Sequence, residues 1–384
     1  MLNKINFLTA GESHGKGLLG IIEGIPSGLE IEQQYIDFHL SRRQKGFGRG
    51  ARMKIEKDSA EIYTGVRLGY TLGSPIGLII SNLDWPNWED TMATDKQNKE
   101  QKKITLPRPG HADLAGIMKH EFDDIRNVIE RSSARETTMR VALGSICRKL
   151  LEEFDIHVAS YVTQIHNIQD SKESHPYDIN KINAQADLSP LRVLNKNIED
   201  EMINSIKKAQ NNGDTVGGRF KVLISGAPYG LGSYTSWNKK LNAKLAEAIC
   251  SINAIKGVSF GANHASDVFG SQLHDEIEYE NGKFVRTNNN AGGIEGGMSS
   301  AQPIVIRMVM KPIPTLIKPL KSVDIHTKES KDAHKERTDA CAVPAASIIA
   351  ESMLCFALAD ALLEKFGGDS LDQLKAHMQA TAKY

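Results

Sequence analysis

The sequence predicts an α+β fold in a single large domain spanning residues 1–384. Two observations carry that reading. Strand-like and helix-like stretches are mixed without the regular βαβ alternation of a doubly wound parallel sheet. No Pro/Ser-rich linker divides the chain, and no internal repeat is present.

The elements follow in order. Residues 19–25, 62–68 and 76–81 are β-branched runs bounded by Gly or Pro and read as strands. From Leu114 the pattern turns helical. Ser133-Ala134-Arg135-Glu136 matches a capping box, and Met139, Ala142, Ile146, Leu150 and Leu151 then recur at helical spacing, predicting a helix to about Phe154. Residues 155–212 form a more variable polar segment with one amphipathic helix. Its apolar face carries Ile198, Met202, Ile203 and Ile206, and it stops at Asn212-Gly213. Glycine-rich turns and strands return over 214–228, a helix follows over about 239–253, and 305–310 reads as a strand. A closing helix over roughly 345–365 ends at Gly367-Gly368.

Composition narrows the function. The 47 basic and 47 acidic residues cancel, so no global field draws nucleic acid or an anionic membrane, and any anion must be met by local arginine clusters. Cys147, Cys250, Cys341 and Cys355 form no Cys-x-x-Cys pair, which predicts neither a zinc site nor a disulfide framework and fits a reducing compartment. The N-terminus lacks a signal-peptide pattern. The apolar stretch 347–363 is interrupted by Glu351, Ser352 and Asp360, which predicts a buried or amphipathic helix and no membrane span. The expectation is a soluble cytoplasmic protein without a metal.

The most informative motif is Gly11-Glu12-Ser13-His14-Gly15, with a second imidazole in Arg108-Pro109-Gly110-His111-Ala112-Asp113. Imidazole transfers protons near neutral pH, and flanking glycines let the backbone approach a ligand closely. Two formal matches fail on context. Gly15-Lys16-Gly17-Leu18-Leu19-Gly20 fits the dinucleotide fingerprint, yet a strand-like run follows where that motif needs a helix. Gly11 to Gly15 also fits a nucleophile elbow, which likewise needs a following helix; a serine hydrolase using Ser13 stays the runner-up.

Four further constellations remain. Arg42, Arg43, Arg49 and Arg52 interleave with glycines in a run able to wrap an anion. Glu130-Arg131-Ser132-Ser133-Ala134-Arg135-Glu136 offers guanidinium and hydroxyl donors at a helix start. Asn290-Ala291-Gly292-Gly293-Ile294-Glu295-Gly296-Gly297-Met298 has two Gly-Gly pairs, which imply close approach or unusual dihedrals. Glu336-Arg337-Thr338-Asp339 precedes the closing helix, where Asp339 is either a helix cap or a functional carboxylate. His120, His157, His166 and His175 share no common spacing and read as structural or surface groups.

These segments, in this order and over nearly the whole chain, resemble the chorismate synthase family. The resemblance implies a layered β-α-β sandwich, with helices between antiparallel sheets, assembled as a homotetramer. It implies a lyase converting 5-enolpyruvylshikimate 3-phosphate to chorismate and phosphate by 1,4-anti elimination, with reduced FMN and no net redox change. By similarity, His14 protonates the leaving phosphate, and His111 sits near flavin N1. Asp339, relayed through Ser13, deprotonates flavin N5 so that N5 can take the C6 proton. Flavin contacts carried over are Arg131, Ser132, Ser133, Asn253, Ala254, Gly296, Lys311, Pro312, Ile313, Pro314, Thr315 and Arg337. Arg43, Arg49, Arg108 and Arg135 match positions that meet substrate, and Arg43 and Arg49 are also assigned to NADPH. The motifs leave open whether the chain reduces its own flavin with NADPH or relies on a separate reductase. A binding-only flavoprotein would share the arginine and glycine features without needing titrating groups. Two departures from the family pattern stand out: Asn253 replaces a common Gln, and Ser300-Ala301 replaces a common Asn-Gly.

Overall fold

The computed structural model describes residues 2–50, 55–98, 101–171 and 178–382. Ala51 and Arg52 of the basic run, and His175, lie outside these residues. Period-two alternation builds the first sheet. In β2 (Gly17–Glu23), Leu18, Gly20 and Ile22 are buried while Leu19, Ile21 and Glu23 face solvent. Flanked by β1 (Asn6–Ala10) and β4 (Ile76–Ser81), with β3 (Glu61–Thr64) at the far edge, it gives the antiparallel order β1-β2-β4-β3. The strand expected over 62–68 is broken at Gly65, whose φ of 82° ends β3 before a short piece at Val66–Arg67.

The second sheet contains β5 (His157–Ile165), β6 (Ile168–Gln169), β7 (Gly218–Ser225), β8 (Ile255–Phe260) and β9 (Ile304–Met310). Its order is β8-β9-β7-β5-β6, again antiparallel. With no parallel pair in either sheet, the mixed α and β chain is of the α+β kind that the sequence predicts.

Helices connect the sheets. Of α1 (Gln33–Gln44), α2 (Asp113–His120), α3 (Arg126–Ser132) and α4 (Thr137–Glu152), it is α4 that packs on β1, β2 and β4. Beyond α5 (Ile179–Ala186), α6 (Glu199–Asn211) and α7 (Leu241–Cys250) comes α8 (Val343–Phe366), which packs on α4 and on β5 and β7. Two glycines permit these approaches. A Cβ on Gly20 would lie 2.5 Å from Met139 Cγ of α4, and one on Gly144 of α4 would lie 2.7 Å from Ser352 Cβ of α8. One hydrophobic cluster therefore runs from Ile22 and Leu78 through Met139, Leu143, Leu354 and Phe356 to Val158 and Phe220. The α8 helix is long and apolar enough to span a bilayer, yet its apolar window is wholly buried by these neighbours.

Several boundaries differ from the sequence reading. The predicted capping box at Ser133 is half built: α3 ends at Ser132, extended Ser133 caps a short 3-10 turn over 134–136 with its hydroxyl accepting from the Arg135 N–H at 3.5 Å, and α4 starts at Thr137. Glu136 turns forward to Arg140 Nη2 at 2.9 Å instead of back to Ser133. The polar segment 155–212 holds more than one helix. It supplies β5, a central strand, and α5, which covers the other face of the second sheet through Ile182 and Ala186. The helix after residue 239 stops at Cys250, leaving Asn253 and Ala254 in the loop before β8. A last helix, α9 (Leu371–Thr381), is capped by Ser370 and Gln373 and was not anticipated.

Candidate active site

The β1–β2 loop, the C-terminal end of α1, the start of α2, the α3–α4 junction, the loop before β8, the loop after β9 and the approach to α8 surround one cavity of about 430 Å³. It gathers Ser13, His14, Arg43, Arg49, Arg108, His111, Ser132, Ser133, Arg135, Asn253, Ala254, Lys311, Ile313, Pro314, Thr315, Arg337 and Asp339. Three sequence-predicted residues lie elsewhere. Arg131 donates to the Thr9 and Gly11 carbonyls, Pro312 lines a neighbouring cavity behind the 311–315 loop, and Gly296 sits in a hairpin outside the cavity lining. The double-glycine motif does adopt the unusual dihedrals expected, with φ of 65°, 77°, 58° and 89° at Gly292, Gly293, Gly296 and Gly297.

Each histidine is paired through Nδ1 with a buried carboxylate. His14 Nδ1 meets Glu130 Oε1 at 2.9 Å, and its backbone N–H donates to Glu130 Oε2 at 2.8 Å. The imidazole also stacks on Trp88, centroid to centroid 3.8 Å. His111 Nδ1 meets Asp113 Oδ1 at 2.6 Å, at the first residue of α2. Burial alone would raise both carboxyl pKa values. Hydrogen bonds and charge from His14 with Arg126 at Glu130, and from His111 with Arg108 at Asp113, outweigh it and hold both below the usual carboxylate range. An anionic partner at Nδ1 fixes the tautomer and leaves Nε2 as the nitrogen that exchanges a proton. The sequence held Glu130 and Asp113 within quoted motifs without assigning them; Trp88, far along the chain from His14, carried no local signal.

Arginines line the same cavity. Arg108 spans Asp113 and Thr315, with Nε to Asp113 Oδ2 and Nη1 to Thr315 Oγ1 both at 2.8 Å. Arg43, at the end of α1, donates through Nη2 to the Ala134 carbonyl at 2.8 Å and to Thr137 Oγ1 at 2.9 Å. Arg43 Nη1 and Arg135 Nη2 are buried without a hydrogen-bond partner among the described residues. Arg135 pairs with Asp58 through Nη1, while Asp58 at 3.7 Å from Arg43 Nη1 and Glu56 at 3.6 Å from Arg135 Nη2 are within ion-pair reach but beyond hydrogen-bond range of those two nitrogens. Burial pushes Arg43 down to about 10, with Arg49 and Arg135 adding to the effect against Asp58. Buried donors of this kind normally find a partner, so they select an anion.

Asp339 is not a helix cap. The α8 helix starts at Val343, and the Asp339 carboxylate instead takes Arg49 Nη1 at 3.0 Å and the Gly50 N–H at 2.6 Å. The contexts of the two rejected motifs are also clear. A strand, β2, follows Ser13 and contains Gly17 and Gly20, so neither a nucleophile elbow nor a dinucleotide turn is built. Apolar side chains, among them Ile129, Ile252, Met310, Ile313 and Ile349, complete a wall that suits a flat ring system.

Paired imidazole–carboxylate groups and arginines with unmet donors in one cavity define an acid–base enzyme for an anionic substrate. Comparison with known proteins makes the class specific. The family model for chorismate synthase matches residues 5–363. Chorismate synthase of Enterococcus faecalis is 50% identical over 376 residues, covering 97% of each chain. That of Alkaliphilus metalliredigens is 52% identical over 370 residues, covering 96% of this chain and 97% of the relative. A crystal structure of chorismate synthase superposes with a TM-score of 0.81 at 39% identity, covering 100% of this chain and 98% of that one. The chain belongs to the chorismate synthase family. It is accordingly an enzyme of aromatic amino acid biosynthesis.

Proposed function

We propose that the chain converts 5-enolpyruvylshikimate 3-phosphate to chorismate and phosphate, with reduced FMN bound against the apolar wall of the cavity. The observation that carries this reading is the pairing of two imidazole–carboxylate dyads with the unmet donors of Arg43 and Arg135 in one space. A substrate with one phosphate and two carboxylates needs such a local arginine pole in a protein of zero net charge. The residues present also fit the flavin: the apolar wall receives a ring, while Ser132, Ser133, Asn253, Lys311, Thr315 and Arg337 add polar groups around it.

When bound, reduced FMN supplies electron density that weakens the allylic C–O bond and is recovered without net redox change. The chain's own residues do the rest. Arg43, Arg49, Arg108 and Arg135 hold phosphate and carboxylates and compensate the charge of the departing phosphate. His14 donates the Nε2 proton to the phosphate as it leaves, and Glu130 stabilises the imidazolium beforehand. His111, held by Asp113, keeps the protonation state of its surroundings fixed. Asp339 is the base whose carboxylate would take a proton from the reduced flavin, and Ser13, in the same cavity wall, would relay it. The same reading makes the fold one domain, a helical layer between two antiparallel sheets, and the protein a homotetramer.

The test is anaerobic, with purified protein, 5-enolpyruvylshikimate 3-phosphate and dithionite-reduced FMN, following chorismate by absorbance. Chorismate with reduced and none with oxidised FMN is the expected result. Folded, flavin-binding protein that forms none would leave only a binding role. Replacing dithionite with NADPH then decides between self-reduction and a separate reductase.

A further inference from the structure

We propose that Asn82 is the positioning residue that locks the His14 loop to Arg135, so that acid and anion-binding group keep one fixed geometry. The inference rests on the proposed reading of the cavity. Asn82 follows β4 directly, is 4% exposed and does not line the cavity. Both ends of its amide are used. Nδ2 donates to the carbonyl of Gly15 at 2.7 Å and approaches those of Glu12 and Ser13 at 3.2 and 3.4 Å. Oδ1 accepts from Arg135 Nε at 2.9 Å. The backbone N–H adds a bond to the Lys16 carbonyl at 3.1 Å. Only one orientation of the amide satisfies these partners, because the flipped form would set an oxygen among three carbonyl oxygens and an NH₂ against a guanidinium.

The chemistry requires this residue type. A loop that exposes three inward carbonyls needs a compact, uncharged double donor, and the Nε–H of Arg135, whose Nη1 is taken by Asp58, needs an acceptor on the other side. Asparagine supplies both at the reach of one methylene. The turn that follows belongs to the same device. Asp84 accepts from Arg337 Nη2 at 2.5 Å and from Trp88 Nε1 at 3.2 Å, which sets the Trp88 ring against His14. One short segment thus holds the backbone on either side of His14 and the face of its ring, while the same amide takes the Nε–H of Arg135.

Asn82→Asp is the informative change, since it keeps the acceptor for Arg135 and turns the donor into a charge facing three carbonyls. Trp88 reports on the outcome independently of turnover. In a Trp85→Phe, Trp237→Phe background it is the sole tryptophan of the three in the chain, and a stacked imidazole quenches its emission. His14→Ala should raise that emission, and Asn82→Asp should recover at least about half of the rise while circular dichroism stays unchanged. In the chorismate assay, Asn82→Asp should lower kcat by roughly 10- to 10²-fold with KM changed by no more than about threefold. Adding Asn82→Asp to His14→Ala should cost no more than about a further twofold, because both changes remove the same positioned group. Unchanged emission and kcat in folded Asn82→Asp protein, or fully multiplicative effects in the double variant, would overturn the proposal. Should Asn82→Asp fail to fold, Asn82→Ser is read by the same two measurements. If wild-type protein forms no chorismate, the proposed reaction falls, and the emission arm alone judges Asn82.

Discussion

At the scale of single residues, the site is a set of charges held in place before any ligand arrives. His14 lies between the Trp88 ring and the Glu130 carboxylate, so its removal deletes a positioned acid together with a buried ring stack. His14→Ala is expected to reduce turnover by roughly 10²-fold or more, the scale of lost acid–base catalysis, with flavin affinity retained. Wild-type turnover in the variant would take His14 out of the mechanism. Asp339→Asn should fold and bind flavin while turnover falls, since the amide oxygen keeps one of the two donors, Arg49 Nη1 or the Gly50 N–H, but the side chain cannot take a proton; a fully active variant would assign Asp339 a purely structural role. A different residue-scale cost appears at Ala301. It keeps a left-handed backbone at φ 59°, a conformation that strains a residue with a Cβ. Ala301→Gly is expected to raise stability by up to about 1 kcal/mol, the strain relieved being partly offset by the freer unfolded chain. Denaturant unfolding would show it as a higher midpoint at unchanged slope.

At the scale of elements, the helices that carry the site are tied together by a buried ionic cluster. Glu351 of α8 receives Arg42 of α1 at 3.0 Å, Arg148 of α4 at 2.6 Å and Arg192 at 3.2 Å. Burial would raise its pKa, but the three guanidinium groups prevail and pull it down to about 2. Because the folded value lies below the ordinary glutamate value of 4.5, the cluster's contribution is complete above pH 4.5 and is lost as pH falls towards 2. Glu351→Ala should therefore destabilise by about 3–5 kcal/mol at neutral pH, leaving buried arginines without their counter-charge. Glu351→Gln should show a shallower loss of stability than wild type between pH 4.5 and 2, measured by urea titration across that range. The same cluster explains why β5 escaped detection in the sequence. Its Ser160 looks like a surface residue, yet the hydroxyl is buried against Glu351 at 2.5 Å, so polar letters in 157–165 conceal a central strand. Elements whose burial is apolar and one-sided, such as β2 and β4, were legible as β-branched runs bounded by Gly or Pro, the first shifted by two residues. The α3–α4 junction was misread because Glu136 has a stronger partner in Arg140 than in a helix cap. The site residues were legible as motifs, since glycine and arginine mark them locally. Their partners Trp88 and Asn82 were not, because only the folded chain brings them to His14.

At the scale of the whole molecule, several arginines are buried while large apolar side chains stay exposed on the outside. The first sheet has only one face on the helices. Its other face shows Leu8, Leu19 and Ile21, at 70%, 52% and 52% exposure, together with Tyr63 at 68%. Register makes them neighbours: Leu8 stands opposite Ile21, and Leu19 lies between Ala10 and Ile79. Scattered exposed apolar residues need no explanation, but a contiguous row across a sheet face marks an interaction surface. A second copy covers such a face most simply, because a two-fold axis sets identical rows against each other. The proposed homotetramer then uses this face in one of its interfaces. Replacing Leu8 and Ile21 together by Glu should leave the inner face untouched, since neither side chain enters the core cluster. It should lower the mass seen by light scattering from that of a tetramer to that of a dimer or monomer, with circular dichroism preserved. A double variant that remains tetrameric would show that this face is not an interface, and a monomeric wild type would remove the assembly itself.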